Sequence, residues 1–140
     1  MKISSRLALV AVLCAMACGT YDAATSMGEA KAPAPEAFGC AIATLNSLGY
    51  TITDASKDAG FIKAERKRSG GQAFLTGHTD TDRISVSVFE DPTSKKPMMR
   101  ISGETIASQE MGRTAGSVVS QQTTADVKGH VQQLLSACGK

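Results

Sequence analysis

Eleven consecutive apolar residues, Leu7 to Ala17, constrain this chain more than any other stretch. Lys2 and Arg6 precede them, and Cys18-Gly19-Thr20 follows. A bilayer-crossing helix needs ~20 apolar residues, so the run is too short to span. Basic residues, a short apolar run and then small residues at Ala15 and Ala17 form the pattern of a secretion signal. Removing residues 1–17 leaves 123 of the 140 residues, enough for one small domain plus a tail.

The residues around the cut carry a second message. Ala17-Cys18 at the end of the apolar run resembles a bacterial lipobox, in which the exposed cysteine receives a lipid. The resemblance implies a lipid on Cys18 and a membrane as the first partner. Position 19 is Gly rather than Asp. By resemblance to enterobacterial lipoproteins, the expected address is the periplasmic face of the outer membrane. Ala15-Met16-Ala17 also fits an ordinary signal-peptidase site, which would release a soluble periplasmic or secreted protein after the same cut. Residues 19–35 are rich in Gly, Ala, Thr, Ser and Pro without apolar period. They read as a flexible tether, beginning at Cys18, of roughly 20–25 Å root-mean-square span. The single domain is expected over residues 36–140.

Export changes how the cysteines read. Cys14 goes with the leader and Cys18 is the lipid acceptor, which leaves Cys40 and Cys138. An even pair in an oxidising compartment is a disulfide candidate, the alternative being two buried thiols. Charge is also redistributed. Lys2 and Arg6 belong to the leader, so 13 basic residues face 13 acidic ones in the mature chain. A neutral domain has no long-range field to draw in nucleic acid or an anionic membrane face.

Periodicity supplies the elements. Pro35 and Glu36 suit a first helical turn, and Phe38, Ile42, Leu45 and Leu48 form one stripe ending at Gly49. Tyr50–Thr53 and Phe61–Arg68 alternate as strands, with Asp54–Gly60 turning between them. Ile84, Val86 and Val88 mark the clearest strand. Met99, Ile101 and Gly103 mark another, and Asp91–Pro97 joins the two as a hairpin. Residues 77–82 read as a turn, and 107–122 as a loop with partial helix. Val127, Val131, Leu134 and Cys138 form the stripe of a last helix capped by Thr123 or Thr124. The order predicts an α+β two-layer sandwich. An antiparallel sheet of three or four strands carries the N- and C-terminal helices on one face. Antiparallel helices would bring Cys40 to Cys138.

The stretch Leu48-Gly49-Tyr50, Asp54 and Gly60-Phe61-Ile62-Lys63-Ala64-Glu65-Arg66 resembles the helix-grip domains of envelope lipoproteins. These include the BamC-type accessory lipoproteins of outer-membrane β-barrel assembly. The resemblance covers residues 38–68 and implies the fold.

Chemical constellations are sparse. His78, Asp80 and Asp82 alternate in a way that suits a divalent cation, but a polar hairpin turn explains them as well. His130 lies on the last helix between Val127 and Leu134, with Asp126 alone at ligand spacing, and reads as a surface histidine. Arg66-Lys67-Arg68 reads as a solvated strand end without the aromatic platforms of a single-strand nucleic-acid site. There is no Gly-x-Ser-x-Gly elbow, no phosphate loop and no Cys-x-x-Cys. No catalytic set, metal site or cofactor can be named, and no enzyme is expected. Two functions fit. One is a membrane-tethered accessory module that binds an envelope protein through an open sheet face or an edge strand. The other is a small-ligand carrier using the groove between helices and sheet. Phe61, Phe74, Phe89 and Met98 could line either surface or simply be core.

Overall fold

Prolines set where the first helix begins. In the computed structural model, which describes residues 23–68, 78–109 and 117–140, α1 spans Ala34–Ser47 with Pro33 as its N-cap. A proline lies in its first two positions, where a missing N–H costs no helical bond. The helix ends as its sequence dictates. Leu48 is the C-cap and Gly49 adopts φ 79°. The amide of Tyr50 then reaches Leu45 O at 3.0 Å, and that of Gly49 reaches Asn46 O at 3.1 Å. Both bonds of the Schellman motif are present.

Six strands follow the antiparallel pattern: β1 Ala24–Glu29, β2 Thr51–Ser56, β3 Phe61–Arg68, β4 His78–Glu90, β5 Pro97–Gln109 and β6 Ser117–Gln122. Their order is β1-β5-β4-β3-β2, with β6 also on β5. Strand β5 is long enough to hold both partners on one edge. Its residues 98–103 pair with β1 and 105–109 pair with β6, so β6 and β1 lie end to end. Helix α2, Ala125–Cys138, starts at Thr124, whose side chain accepts from the Val127 amide.

Both helices cover the same face. Ile62 and Ala64 of β3, Ile84, Val86 and Val88 of β4, and Met99 and Ile101 of β5 are buried there. They meet Ala37, Phe38, Ala41 and Leu45 of α1 and Val127, Val131 and Leu134 of α2. Gly103 shows how closely α2 lies on the sheet. A Cβ at this position would stand 2.5 Å from Val127 Cγ1 and 2.9 Å from Val131 Cγ2. Gly103→Val should therefore cost about 1–3 kcal/mol by overpacking, read as a lower urea midpoint at unchanged slope. An unchanged midpoint would mean that α2 can lift away freely.

The α+β class and the helix-on-sheet layering are as expected, but the sheet is wider than three or four strands. Residues 24–29, expected in the tether, form β1. Residues 117–122, expected as loop or helix, form β6, and 107–109 extend β5. Residues 78–82, expected as a turn, extend β4. None of these segments has strong apolar alternation. They are held by backbone pairing to long neighbours, which side-chain period does not report. Cys18 and Phe74 lie outside the described residues.

Candidate functional site

Three surfaces bear on function: a polar end of the helix layer, the disulfide, and the uncovered face of the sheet with its β1 edge.

The polar end grows from strand alternation. Arg66 and Arg68 share the inner face of β3 with Ile62 and Ala64, and Asp82 shares that of β4 with Ile84. Asp82 is 0% exposed. It accepts from Arg66 Nη2 at 2.7 Å, Arg68 Nε at 2.9 Å and Thr105 Oγ1 at 2.8 Å. Arg68 continues to Thr124 Oγ1 at 3.0 Å and Asp126 at 2.8 Å, so the cluster ties β3, β4 and β5 to the start of α2. Arg66 also lies 5.0 Å from the Tyr50 ring centroid, and Tyr50 Oη is 3.1 Å from His130 Nδ1.

Burial pushes the Asp82 carboxyl up, but hydrogen bonds from Arg66, Arg68 and Thr105 outweigh it and hold it below the usual range. Burial raises Tyr50 to about 12. Burial first, and the nearby Arg66 charge second, lower His130 below its ordinary value. Folded pKa values lowered in this way mean that the unfolded chain binds more protons. Stability is thus full above the unfolded values and falls as pH drops, below about 6.5 for His130 and then below about 4 for Asp82. His130→Gln should flatten the first step in urea midpoints taken between about pH 7 and 5, while an unchanged slope would exonerate His130.

This geometry corrects three expectations. Arg66 and Arg68 are not a solvated strand end, although Lys67, on the opposite face, is exposed. His130 is half-buried and partnered rather than on the surface. Asp80 and Asp82 stand in strand β4, and Asp82 is consumed by arginines. Among the described residues, no group of three or more His, Cys, Asp or Glu side chains could hold a metal ion.

Cys40 and Cys138 are bonded, with Cα atoms 5.9 Å apart and a sequence separation of 98. The bond joins the middle of α1 to the end of α2. Around it, Lys31 N donates to Cys138 O at 2.9 Å, and Lys31 Nζ donates to the carbonyls of Ser136 and Ala137. A cation therefore sits at the negative end of α2, whose own last turn has none.

Among the described residues, no helix lies on the opposite face of the sheet. Phe89 and Met98 face each other across β4 and β5, and Phe61 lies one strand further, opposite Ser87. On the other side of β5, Met27 is opposite Arg100. Met27 is 55% and Phe89 37% exposed, and they are the exposed large apolar side chains found among the described residues. Further along the face, Arg83 bridges Glu65 at 2.9 Å and Glu104 at 3.6 Å. Phe61, Phe89 and Met98 thus fall together on this face rather than in the groove between helices and sheet.

The β1 edge was not foreseen. Ala30 N donates inward to Pro97 O at 2.8 Å, whereas Glu29 O accepts from Lys140 N on the outer side at 2.7 Å. Backbone groups alternate along an antiparallel strand, so the N–H and C=O of Thr25 and Met27 also point outward. The register of β1 on β5 is continuous from Ala24 to Glu29. In contrast, β2 shifts register between Ile52 and Asp54, and the β5–β6 ladder shifts between Ala107 and Ser108. Bulges and charges are the usual protection of sheet edges, and β1 lacks a bulge.

The groove between helices and sheet is filled by Leu45, Ile62, Ile84, Met99, Ile101 and Leu134, each 0% exposed. Pockets occur instead at the surface, for example beside Ala23, Ser85, Ser102 and Glu104 on the open face. Among the described residues no helix is long and apolar enough to cross a membrane. No protein-family model matches the chain, and no curated protein matches it.

Proposed function

We propose that this chain is an exported lipoprotein, held to a membrane through Cys18, that acts without catalysis as a binding module for an envelope protein. Its contact surface is the outer edge of β1, where an extended segment of the partner adds as a further strand. The observation that carries this reading is the edge itself. Thr25 and Met27 offer outward backbone groups on a regular strand, and Lys140 already makes a strand-like bond to the neighbouring Glu29. The outer-membrane address follows from Gly19 and the lipobox resemblance. The filled groove favours this reading over a small-ligand carrier.

A photo-crosslinking residue at Thr25, compared with one at Thr53 on β2, tests it in cells. Thr25 should give an adduct with another envelope protein, and Met27→Pro should abolish it. That proline removes an outward N–H without breaking a β5 bond. No adduct at Thr25, or one that survives Met27→Pro, would defeat the strand-addition reading.

A further inference from the structure

We infer that the open face of the sheet lies on the bilayer surface to which Cys18 is attached, as a second and weaker membrane contact. The inference rests on the reading that Cys18 carries the lipid, and it says how the domain is oriented. With β1 folded into the sheet, only a few residues remain between Cys18 and Ala23. Five residues, in any conformation, span at most ~17 Å. A domain of this size has a radius of gyration near 13 Å, so such a leash keeps one surface against the lipid.

Three surfaces can be turned to the membrane from the start of β1: the strand edge, the outer side of α2 and the open face. The outer side of α2 presents the exposed polar residues Gln132, Gln133 and Ser136 and the exposed charges Asp126 and Lys128, and among the described residues it shows no exposed large apolar side chain. The open face presents the exposed Met27 and Phe89 beside Met98. Between them stands Arg100, exposed, with Met27 opposite on one strand and Ser87 on the other. No ion pair is found for Arg100 among the described residues. A guanidinium flanked by methionine and phenylalanine matches the boundary of a bilayer. Lipid phosphates can accept from the fork, and the apolar groups enter the upper acyl region. The acidic side chains on this half of the face do not oppose that contact, because Glu29 is engaged by Lys96 and Lys140 at 3.0 Å each. The orientation leaves the β1 edge accessible from the side, parallel to the membrane plane.

The lipidated mature chain supplies the test. Its lipid occupies Cys18 and its disulfide occupies Cys40 and Cys138, so an introduced cysteine is the free thiol. A polarity-sensitive fluorophore is placed at Ser87→Cys on the open face or at Gln133→Cys on α2. Each protein is reconstituted in phosphatidylethanolamine–phosphatidylglycerol vesicles with brominated acyl chains. Quenching at Ser87 should exceed that at Gln133 several-fold, and Arg100→Glu with Phe89→Ser should remove the difference while the protein still sediments with the vesicles. Equal quenching at the two sites, or a difference that survives the double variant, overturns the orientation and leaves the anchor standing. A chain that does not sediment overturns both.

Discussion

Asp82→Ala is expected to lower stability by about 3 kcal/mol, the low end of the range for breaking a buried ion pair. The low end applies because the stranded arginines are not fully buried, at 25% and 30% exposure, and can turn toward water. Removing the arginines instead should do more damage. In Arg66→Met with Arg68→Met, a carboxylate with 0% exposure keeps, among the described residues, only Thr105 as a side-chain donor. Its burial is then uncompensated, and the cost should approach the upper end, about 5 kcal/mol. Urea midpoints at pH 7 measure both. If the double arginine variant is the milder of the two, Asp82 does not remain charged in its buried site. Because the cluster joins β3, β4 and β5 to the first turn of α2, the loss should appear first as hydrogen exchange near Thr124.

Loss of the Cys40–Cys138 bond is expected to be comparable or larger. A bridge closing a loop of 98 positions is worth about 4–5 kcal/mol on the chain-entropy model. The double variant Cys40→Ser, Cys138→Ser should show that shift in urea midpoint against the oxidised protein. A shift below about 1 kcal/mol would mean that the unbridged chain is already constrained before folding. The consequence reaches β1. Cys138 O accepts the Lys31 amide, and Gly139 bridges Ala30, so the end of α2 fixes the exit from the edge strand. Loosening α2 should therefore reduce protection at Ala30 and Lys31 sooner than at Ile84.

Much of this architecture is legible in the residues. Gly49 announces the Schellman stop of α1, and alternation at Ile84–Val88 and Met99–Gly103 announces the central hairpin. Export logic isolates Cys40 and Cys138 as a pair. The edge strands are not legible, because Ala24–Glu29 and Ser117–Gln122 are recruited by the unpaired backbone of a 13-residue neighbour. Their sequences lack strong apolar alternation, so their composition resembles a tether or loop. The charged cluster was within reach. Extending the inward period Ile62, Ala64 by two steps gives Arg66 and Arg68, and stepping back from Ile84 gives Asp82. Opposite charges at facing inward positions of paired strands are the signal of a buried ion pair, and reading 78–82 as a turn concealed it. The open-face set of Phe61, Phe89 and Met98 was visible as alternate positions, but its junction with Met27 required β1.

These features assign a place to each surface: a sealed helix layer, a face without a helix among the described residues, and a regular edge a few residues from Cys18, the proposed attachment point. All of that geometry acquires meaning through Cys18. The most direct measurement is the mass of the mature N-terminus, taken with the membrane partition of Cys18→Ala. A chain beginning at Cys18 with a diacylglyceryl modification, and released into the soluble fraction by Cys18→Ala, is the predicted result. A mature chain beginning at an unmodified Cys18, soluble in both forms, would contradict it.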